Sequence, residues 1–182
     1  SPNVVNALIS TEDVRFYKHS GIDWRALSRV GFKTLAFMQK NSGGGSTISQ
    51  QLAKLLYERP KTARMSLPKR AIVLVKSKLK EWITAVKLER AYTKEEILAM
   101  YLNKFEFING AHGIESAANI YFNKAQKDLT IPEAATLIGM LKNPSMYNHK
   151  RFPDRCLIRR NVVLELMRDN NIFDKTALAK YT

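Results

Sequence analysis

Two adjacent carboxylates, Glu12 and Asp13, follow an apolar run in the segment ALISTEDVRFYKHSG, residues 7–21. An aromatic pair that begins with Phe16 comes shortly after them, and His19 lies close behind that pair. Carboxylates in such a setting can serve as general bases. The alternative is that the two acids cap or decorate a helix while the aromatic side chains pack. Local spacing alone does not distinguish these two interpretations.

A glycine-rich stretch, NSGGGSTISQQLAK, holds the next candidate site. Thr47 and Gln50 have the spacing of a capping box, which predicts that a helix starts there. The unpaired N–H groups of the first turn, beside Ser46, could hold an anion. A Walker A loop is excluded because Ser46 follows Gly45 directly, without the required Gly-Lys-Ser/Thr. The alternative is an ordinary turn before a helix.

Residues 54–90 are strongly basic. They hold eleven Lys and Arg and three Glu, and so supply eight of the fourteen net positive charges. Within this stretch Lys78 and Glu81 are three residues apart and share one face of a predicted helix. The alternative is an exposed ion pair on a solvated helix face, worth roughly a few tenths of a kcal/mol.

The whole chain has 182 residues and a formal net charge of +14, from 30 Lys and Arg against 16 Asp and Glu. This charge predicts an anionic partner: nucleic acid, a phospholipid headgroup or a phosphorylated substrate. The single cysteine, Cys156, excludes an intrachain disulfide and a cysteine-built zinc site, and the three histidines are too scattered for a HExxH motif. No apolar run of about 18 residues, the length that spans a bilayer, occurs. The start without Met indicates a domain excised from a longer chain.

Helices are expected to position these residues, because helical signals dominate the sequence. Thr93 with Glu96, and Thr130 with Glu133, have the spacing of further capping boxes. From residue 69 to 90 apolar side chains recur at helical spacing without Gly or Pro, which predicts the longest helix.

Residues 159–167 offer a further helical run, whereas alternating strand patterns are scarce. Gly, Pro and Asn mark loops near residues 41–45, 60–68, 109–110 and 143–153. The sequence therefore predicts one mainly α domain, residues 1–182, without an internal linker.

Five motifs in this order resemble those of the peptidoglycan glycosyltransferases of family 51. That family includes monofunctional enzymes and the glycosyltransferase domains of class A penicillin-binding proteins. The motifs are EDVRFYKHSG, GGSTISQQLAK, KLKEWITAVKLE, KEEILAMYLN and RRNVVLELM. The segments GIESAANIYF and LTIPEAATLIGMLKNPSMYN are similar to the family's connecting helices, so the resemblance covers nearly the whole chain.

The resemblance implies a lysozyme-like α fold with a second small, membrane-facing lobe. It implies that lipid II is polymerised into β-1,4-linked glycan with inversion, releasing undecaprenyl diphosphate. Glu12 is then the general base, and Glu81, which matches the family's second important glutamate, is the second catalytic residue. It either orients a cation or the diphosphate-binding residues, or acts more directly in the reaction. The other residues expected to bind substrate are Asp13, Phe16, His19, Ser46, Thr47, Gln50, Gln51, Lys54 and Lys78.

The resemblance also implies Mg²⁺ or Mn²⁺ at the diphosphate, although no local pattern identifies ligands for the metal. The expected partners are lipid II, the growing glycan strand, the membrane surface and other cell-wall synthesis proteins, and not nucleic acid. The expected location is the outer, periplasmic face of the bacterial cytoplasmic membrane, with an anchoring transmembrane helix outside this chain. Moenomycin is the expected inhibitor.

The chain departs from the family pattern at three positions. Ser77 stands where the third motif usually has Arg, which removes one cation from the expected diphosphate site. Ile108 and Asn123 stand where Gly is common. Asn tolerates a left-handed backbone, whereas Ile does not do so readily. None of these departures removes a catalytic carboxylate.

Two alternative functions stay open. A lysozyme-like hydrolase or lytic transglycosylase shares the fold and a catalytic glutamate, but does not need a dense Lys and Arg cluster. A non-enzymatic helical module that binds anionic lipid explains the charge, but not five ordered motifs. Residues 25–40, RALSRVGFKTLAFMQK, are either a helix in the lipid headgroup region or an amphipathic helix packed on the core.

Overall fold

The computed structural model describes residues 1–29, 45–57, 60, 62 and 65–182, and it confirms the prediction of a mainly α chain. Apart from one isolated bridge between Glu106 and His112, these residues contain no β pairing. Residues 24–29 are helical, whereas residues 30–40 of the predicted amphipathic segment lie outside the described part. The helices are α1 (Pro2–Glu12), α2 (Ile48–Leu56), α3 (Leu67–Ala91), α4 (Lys94–Lys104), α5 (Gly113–Phe122), α6 (Ile131–Met140), α7 (Pro153–Asp169) and α8 (Lys175–Tyr181).

Helix starts lie where the capping boxes predict them. Thr130 and Glu133 cap each other's backbone N–H at the start of α6, and Thr93 and Glu96 do the same at the start of α4. With 25 residues, α3 is the longest of the described helices. It begins at Leu67 with a proline in its first turn, so the predicted loop ends slightly earlier than residue 68.

The chain divides into two compact units. The first comprises Ser1–Val14 and Leu102–Thr182, and the second comprises Arg15–Tyr101. In the first unit α1 packs against α6 and α7. The large apolar side chains of this core are fully buried, and the burial of each one contributes about 1.5–3 kcal/mol to the free energy of folding. They include Val4, Leu8, Leu137, Ile138, Met140, Val163, Leu164 and Met167.

A buried phenol organises the loop that follows α4 in the first unit. The Tyr121 hydroxyl donates to the Phe107 carbonyl at 2.8 Å and accepts from the side-chain amides of Asn109 and Asn148, each at 3.2 Å. Burial raises the pKa of Tyr121, so the phenol stays protonated and can donate. Nearby on α7, Cys156 is buried, and burial raises the pKa of its thiol too.

Two positions in the first unit at which the sequence departs from a common Gly adopt a left-handed backbone conformation. Ile108 has φ 57° and Asn123, directly after α5, has φ 54°. Asn is among the residues that adopt this conformation most easily, whereas a β-branched side chain does so at a cost. Both positions therefore keep the conformation that glycine favours although neither is glycine.

In the second unit α2 packs on α3. Three side chains on the inner face of α3, those of Glu81, Ala85 and Leu88, are buried. Gly21 lies so close to Ala85 that an added Cβ would come within 2.9 Å of the Ala85 backbone. Its φ of 95° also favours glycine, so this residue type allows the segment before α2 to touch α3.

The opposite face of α3 is apolar and exposed. Ile72, Val75, Leu79 and Ile83 recur at helical spacing, and each is more than half exposed. We call these four residues the α3 stripe. No helix within the described part of the chain is both long enough and apolar enough to cross a bilayer.

Candidate active site

The start of α2 is fixed by a complete capping box. The Thr47 hydroxyl accepts from the Gln50 N–H at 3.2 Å, and the Gln50 side-chain oxygen accepts from the Thr47 N–H at 3.2 Å. The same hydroxyl donates to the Gly21 carbonyl at 2.6 Å. The cap therefore positions the α2 start, with Ser46 directly before it, against the preceding segment.

Lys78 joins the α2 start to α3. Its ammonium lies 2.9 Å from Glu81 Oε2 and donates to the Ser46 hydroxyl at 3.0 Å. The Glu81 side chain is only 7% exposed, whereas that of Lys78 is 38% exposed. The interpretation as an exposed surface pair is thus wrong for Glu81, because a buried carboxylate of this kind depends on its cation.

A cavity of about 310 Å³ lies between α2 and α3, within the second unit. Its walls are mostly apolar, and the charged groups that the described residues contribute to it are three lysines and one carboxylate. The lining residues are Ala53, Lys54, Tyr57, Pro60, Val73, Lys76, Ser77, Lys80 and Glu81.

The charges of the cavity favour an anionic ligand. Lys54, Lys76 and Lys80 outnumber Glu81, whose charge is already matched by Lys78. The Lys80 ammonium lies over the Tyr57 ring, 3.9 Å from its centroid, and this cation–π contact holds the lysine at the cavity wall. An anion with an apolar portion fits such a lining.

The segment that follows the two adjacent carboxylates is packed into the second unit. Phe16 is fully buried and makes an edge contact with His19, their ring centroids being 6.1 Å apart. His19 Nδ1 accepts from the Gly21 N–H at 3.2 Å. Buried Asp23 accepts from the N–H groups of residues 25 and 26 and lies 3.2 Å from Arg15 Nε.

Glu12 and Asp13 belong to the first unit. Glu12 is the last residue of α1 and is partly buried. Asp13 is 7% exposed and its N–H donates to the Ile9 carbonyl at 3.1 Å, which closes the helix. Asp13 is therefore the C-terminal cap of α1, as the capping interpretation expects, whereas the catalytic role of Glu12 stays a prediction.

The second unit brings seven of the predicted site residues into connected contacts. Lys78, Glu81 and Ser46 form one cluster, Thr47 and Gln50 form the cap, and Lys54 shares the cavity with Glu81. Gln51 accepts from the Tyr101 hydroxyl at 3.0 Å. Lys78 does not line the cavity itself, so the two predicted lysines have different surroundings.

Three residues of the site were missed by the sequence analysis. Lys76 and Lys80 are four residues apart on α3, so their own spacing places them on one helix face and could have marked them as a pair. Tyr57 follows α2 and carried no signal, because its role depends on α2 packing against α3.

Residues 1–168 match the family model described as transglycosylase. Among similar proteins, penicillin-binding protein 1F of Bacillus subtilis is 40% identical over 166 residues, which cover 91% of this chain and 22% of the relative. Penicillin-binding protein 1A of Escherichia coli is 39% identical over 180 residues, covering 96% of this chain and 20% of the relative. Penicillin-binding protein 1A of Aquifex aeolicus is 40% identical over 169 residues, covering 91% and 21%. The chain thus spans about a fifth of the length of these relatives.

Proposed function

Because this chain belongs to the transglycosylase family, we propose that it is a peptidoglycan glycosyltransferase. It polymerises lipid II into β-1,4-linked glycan strands and releases undecaprenyl diphosphate. Lipid II and the growing strand are its substrates, and the lysozyme-like helical fold expected from the motifs accords with the mainly α structure.

The observation that carries this proposal is the lysine-lined cavity. Transfer of a sugar from lipid II expels a diphosphate, which needs neutralising charge more than it needs a proton. Lys54, Lys76 and Lys80 offer that charge, and the apolar walls suit the first part of a lipid chain. A glycan hydrolase has no diphosphate leaving group and gains nothing from these cations.

Glu12 is the proposed general base. The acceptor hydroxyl loses its proton as its oxygen attacks the anomeric carbon, and a carboxylate beside it can accept that proton. A single displacement turns the α-linked donor into a β-linked product, without a covalent glycosyl-enzyme intermediate. The diphosphate leaves with the electrons of the broken C–O bond.

Glu81 and Lys78 act together in the proposed mechanism. The Glu81 carboxylate fixes the Lys78 ammonium at 2.9 Å, next to the Ser46 hydroxyl at the α2 start. This arrangement brings the Lys78 ammonium close to the first N–H groups of α2, and both can bind a diphosphate oxygen. Glu81 therefore orients a cation rather than exchanging a proton.

Mg²⁺ or Mn²⁺ is proposed to arrive with the diphosphate. The described side chains contain no group of three or more His, Cys, Asp or Glu that could hold a metal ion. Mg²⁺ commonly binds through substrate phosphates and only one or two carboxylates. When bound, the ion would supply additional charge neutralisation for the leaving group.

We also place the domain at a membrane surface. The α3 stripe is flanked by Lys69, Lys76, Lys80 and Lys87, which fall on one neighbouring face of the helix by their spacing. Apolar residues beside a row of lysines are typical of helices that lie in an anionic headgroup layer. We propose the outer, periplasmic face of the cytoplasmic membrane, with an anchor outside this chain and other cell-wall synthesis proteins as partners.

Incubation with labelled lipid II, with and without moenomycin, tests the proposed function. We expect long glycan strands whose formation moenomycin abolishes. We also expect one undecaprenyl diphosphate to be released for each glycosidic bond that is formed. Cleavage of preformed glycan without polymerisation would establish the hydrolase or lytic transglycosylase instead. Binding of lipid II without turnover would favour the non-enzymatic module.

A further inference from the structure

A buried ion pair in the second unit lies outside the cavity and has no part in the chemistry above. The Lys94 ammonium, in the first residue of α4, lies 2.6 Å from one carboxylate oxygen of Glu89 and 2.8 Å from the other. The two side chains are only 19% and 6% exposed. Burying two charges usually returns little net stability, so the pair needs another explanation.

The remaining contacts of Lys94 reach the segment after the two adjacent carboxylates. Its ammonium donates to the His19 carbonyl at 2.7 Å and lies over the Phe16 ring, 4.3 Å from the centroid. A lysine ammonium has three protons, and here they meet a carboxylate, a carbonyl and a ring face. Lys94 thus ties residues 16–19 to α3 through Glu89.

Glu89 also reaches α2. Its Oε1 accepts from the Ser49 hydroxyl at 2.5 Å, and Ser49 lies in the first turn of α2. Glu81, Ala85 and Glu89 are spaced four residues apart, so they lie along one face of α3. Along that face Glu81 pairs with Lys78 of the same helix, and Ala85 lies against the Gly21 backbone. Glu89 then contacts the side chains of Ser49 and Lys94.

We infer that Lys94 and Glu89 are positioning residues, which hold the segment 16–21 and the start of α2 in register on α3. The Thr47 bond to the Gly21 carbonyl fixes the other end of the same segment. Loss of the Lys94 contacts should let residues 16–21 shift, while the cavity lining, to which neither residue contributes, keeps its shape. For its catalytic consequence the inference rests on the proposed function.

The double variant Glu89→Gln with Lys94→Met tests this inference. It leaves no unpaired buried charge, and the glutamine can still accept from Ser49. The contacts that are lost are the ion pair itself and the Lys94 contacts with His19 and Phe16. We expect faster amide hydrogen exchange in residues 16–21 at a temperature where the variant is folded. We also expect kcat for lipid II polymerisation to fall about tenfold or more, since small misplacements are costly. Affinity for farnesyl diphosphate, measured by calorimetry, should change less than threefold.

Two further variants separate positioning from stability. Lys94→Arg keeps a cation that can donate to both acceptors, and should retain most of the wild-type kcat. Lys124→Met removes an ion pair of similar length with Glu133 in the first unit, 2.7 Å long, and should change thermal stability without changing kcat.

Unchanged exchange in residues 16–21, or a kcat of the folded double variant close to that of the wild type, would overturn the inference. A kcat loss in Lys124→Met that matches its stability loss would also overturn it, since stability alone would then explain the effect. If the wild-type chain does not polymerise lipid II, the proposed function fails. The exchange measurement still decides the positioning role in that case.

Discussion

The lysine side chains at the cavity and beside it differ in the contacts that they already make. Lys78 is held by Glu81 and Ser46, and Lys80 by the Tyr57 ring. Lys54 is exposed at the end of α2, on the wall of the cavity. A diphosphate that enters the cavity can therefore recruit Lys54 without breaking a buried ion pair, whereas removal of Lys78 would break its ion pair with the buried Glu81 carboxylate.

Lys54→Met should weaken binding of a prenyl diphosphate while the fold is unaffected. The substitution removes a charged hydrogen-bond donor worth about 1.5–3 kcal/mol, or roughly tenfold or more in affinity. Calorimetry with farnesyl diphosphate measures the effect. Lys142→Met, at an exposed lysine of the first unit, is the matched control and should bind normally. Equal affinity in the two variants would place the diphosphate elsewhere.

Glu12→Gln should abolish polymerisation while leaving the fold intact. The amide has the same shape but cannot accept the hydroxyl proton, and general-base catalysis contributes about 10²-fold or more. Turnover of labelled lipid II measures the loss, and the thermal midpoint confirms folding. Glu165→Gln on α7 is the control for removing an exposed carboxylate from the first unit. A Glu12→Gln variant that keeps a tenth of wild-type turnover would contradict the base assignment.

At the scale of single elements, the end of α5 depends on one backbone conformation. Asn123 has φ 54°, and its N–H donates to the Asn119 carbonyl at 2.9 Å. The side chain is exposed, so substitutions there change the backbone preference and little else. The cap is therefore a direct measure of what the left-handed conformation costs.

Asn123→Val should lower the free energy of unfolding by about 1–2 kcal/mol, because a β-branched residue is disfavoured in that region. Asn123→Gly should be neutral or slightly stabilising. Urea denaturation of both variants measures the difference. If valine and glycine gave the same stability, the left-handed end of α5 would not be present in solution.

The helix starts were predictable because capping is local. Thr47 with Gln50, and Thr130 with Glu133, need only a spacing of three residues to be recognised. The burial of Glu81 was not predictable, since it follows from α2 packing on α3 rather than from any neighbour in sequence.

The candidate site divides in the same way. Ser46, Lys54 and Lys78 could be named because they stand in recognisable motifs, whereas the Lys80 contact with Tyr57 depends on the packing of α2 against α3, which no local motif specifies. The left-handed Ile108 shows the limit of residue preferences. The Ala111 N–H donates to the Ile108 carbonyl at 3.0 Å. This hydrogen bond belongs to a turn that offsets the cost of the left-handed conformation at Ile108.

At the scale of the whole molecule, the net charge of +14 and the α3 stripe favour the same partner. Charge attracts the chain to an anionic surface over a distance of about 10 Å at moderate salt. The apolar stripe acts only after contact. An exposed Trp24, packed edge-on against Trp82 at 5.9 Å, adds aromatic surface in the same unit.

Ile72→Ser with Leu79→Ser should reduce binding to vesicles that contain anionic phospholipid. Both side chains are exposed, so the thermal midpoint should change little. Vesicle co-sedimentation measures binding, and added salt should weaken it further for the variant than for the wild type. Leu157→Ser with Ile158→Ser, at exposed positions of α7, is the matched control. The membrane proposal fails if both double variants bind as the wild type does.

The buried Cys156 allows the local opening of α7 to be measured by thiol labelling. It is the sole thiol in the chain, it lies in α7, and burial keeps it in the unreactive protonated form. An excess of a thiol reagent can modify it only when α7 opens, so the labelling rate counts opening events over time. Lys124→Met should raise the labelling rate of Cys156, whereas Lys54→Met should leave that rate unchanged.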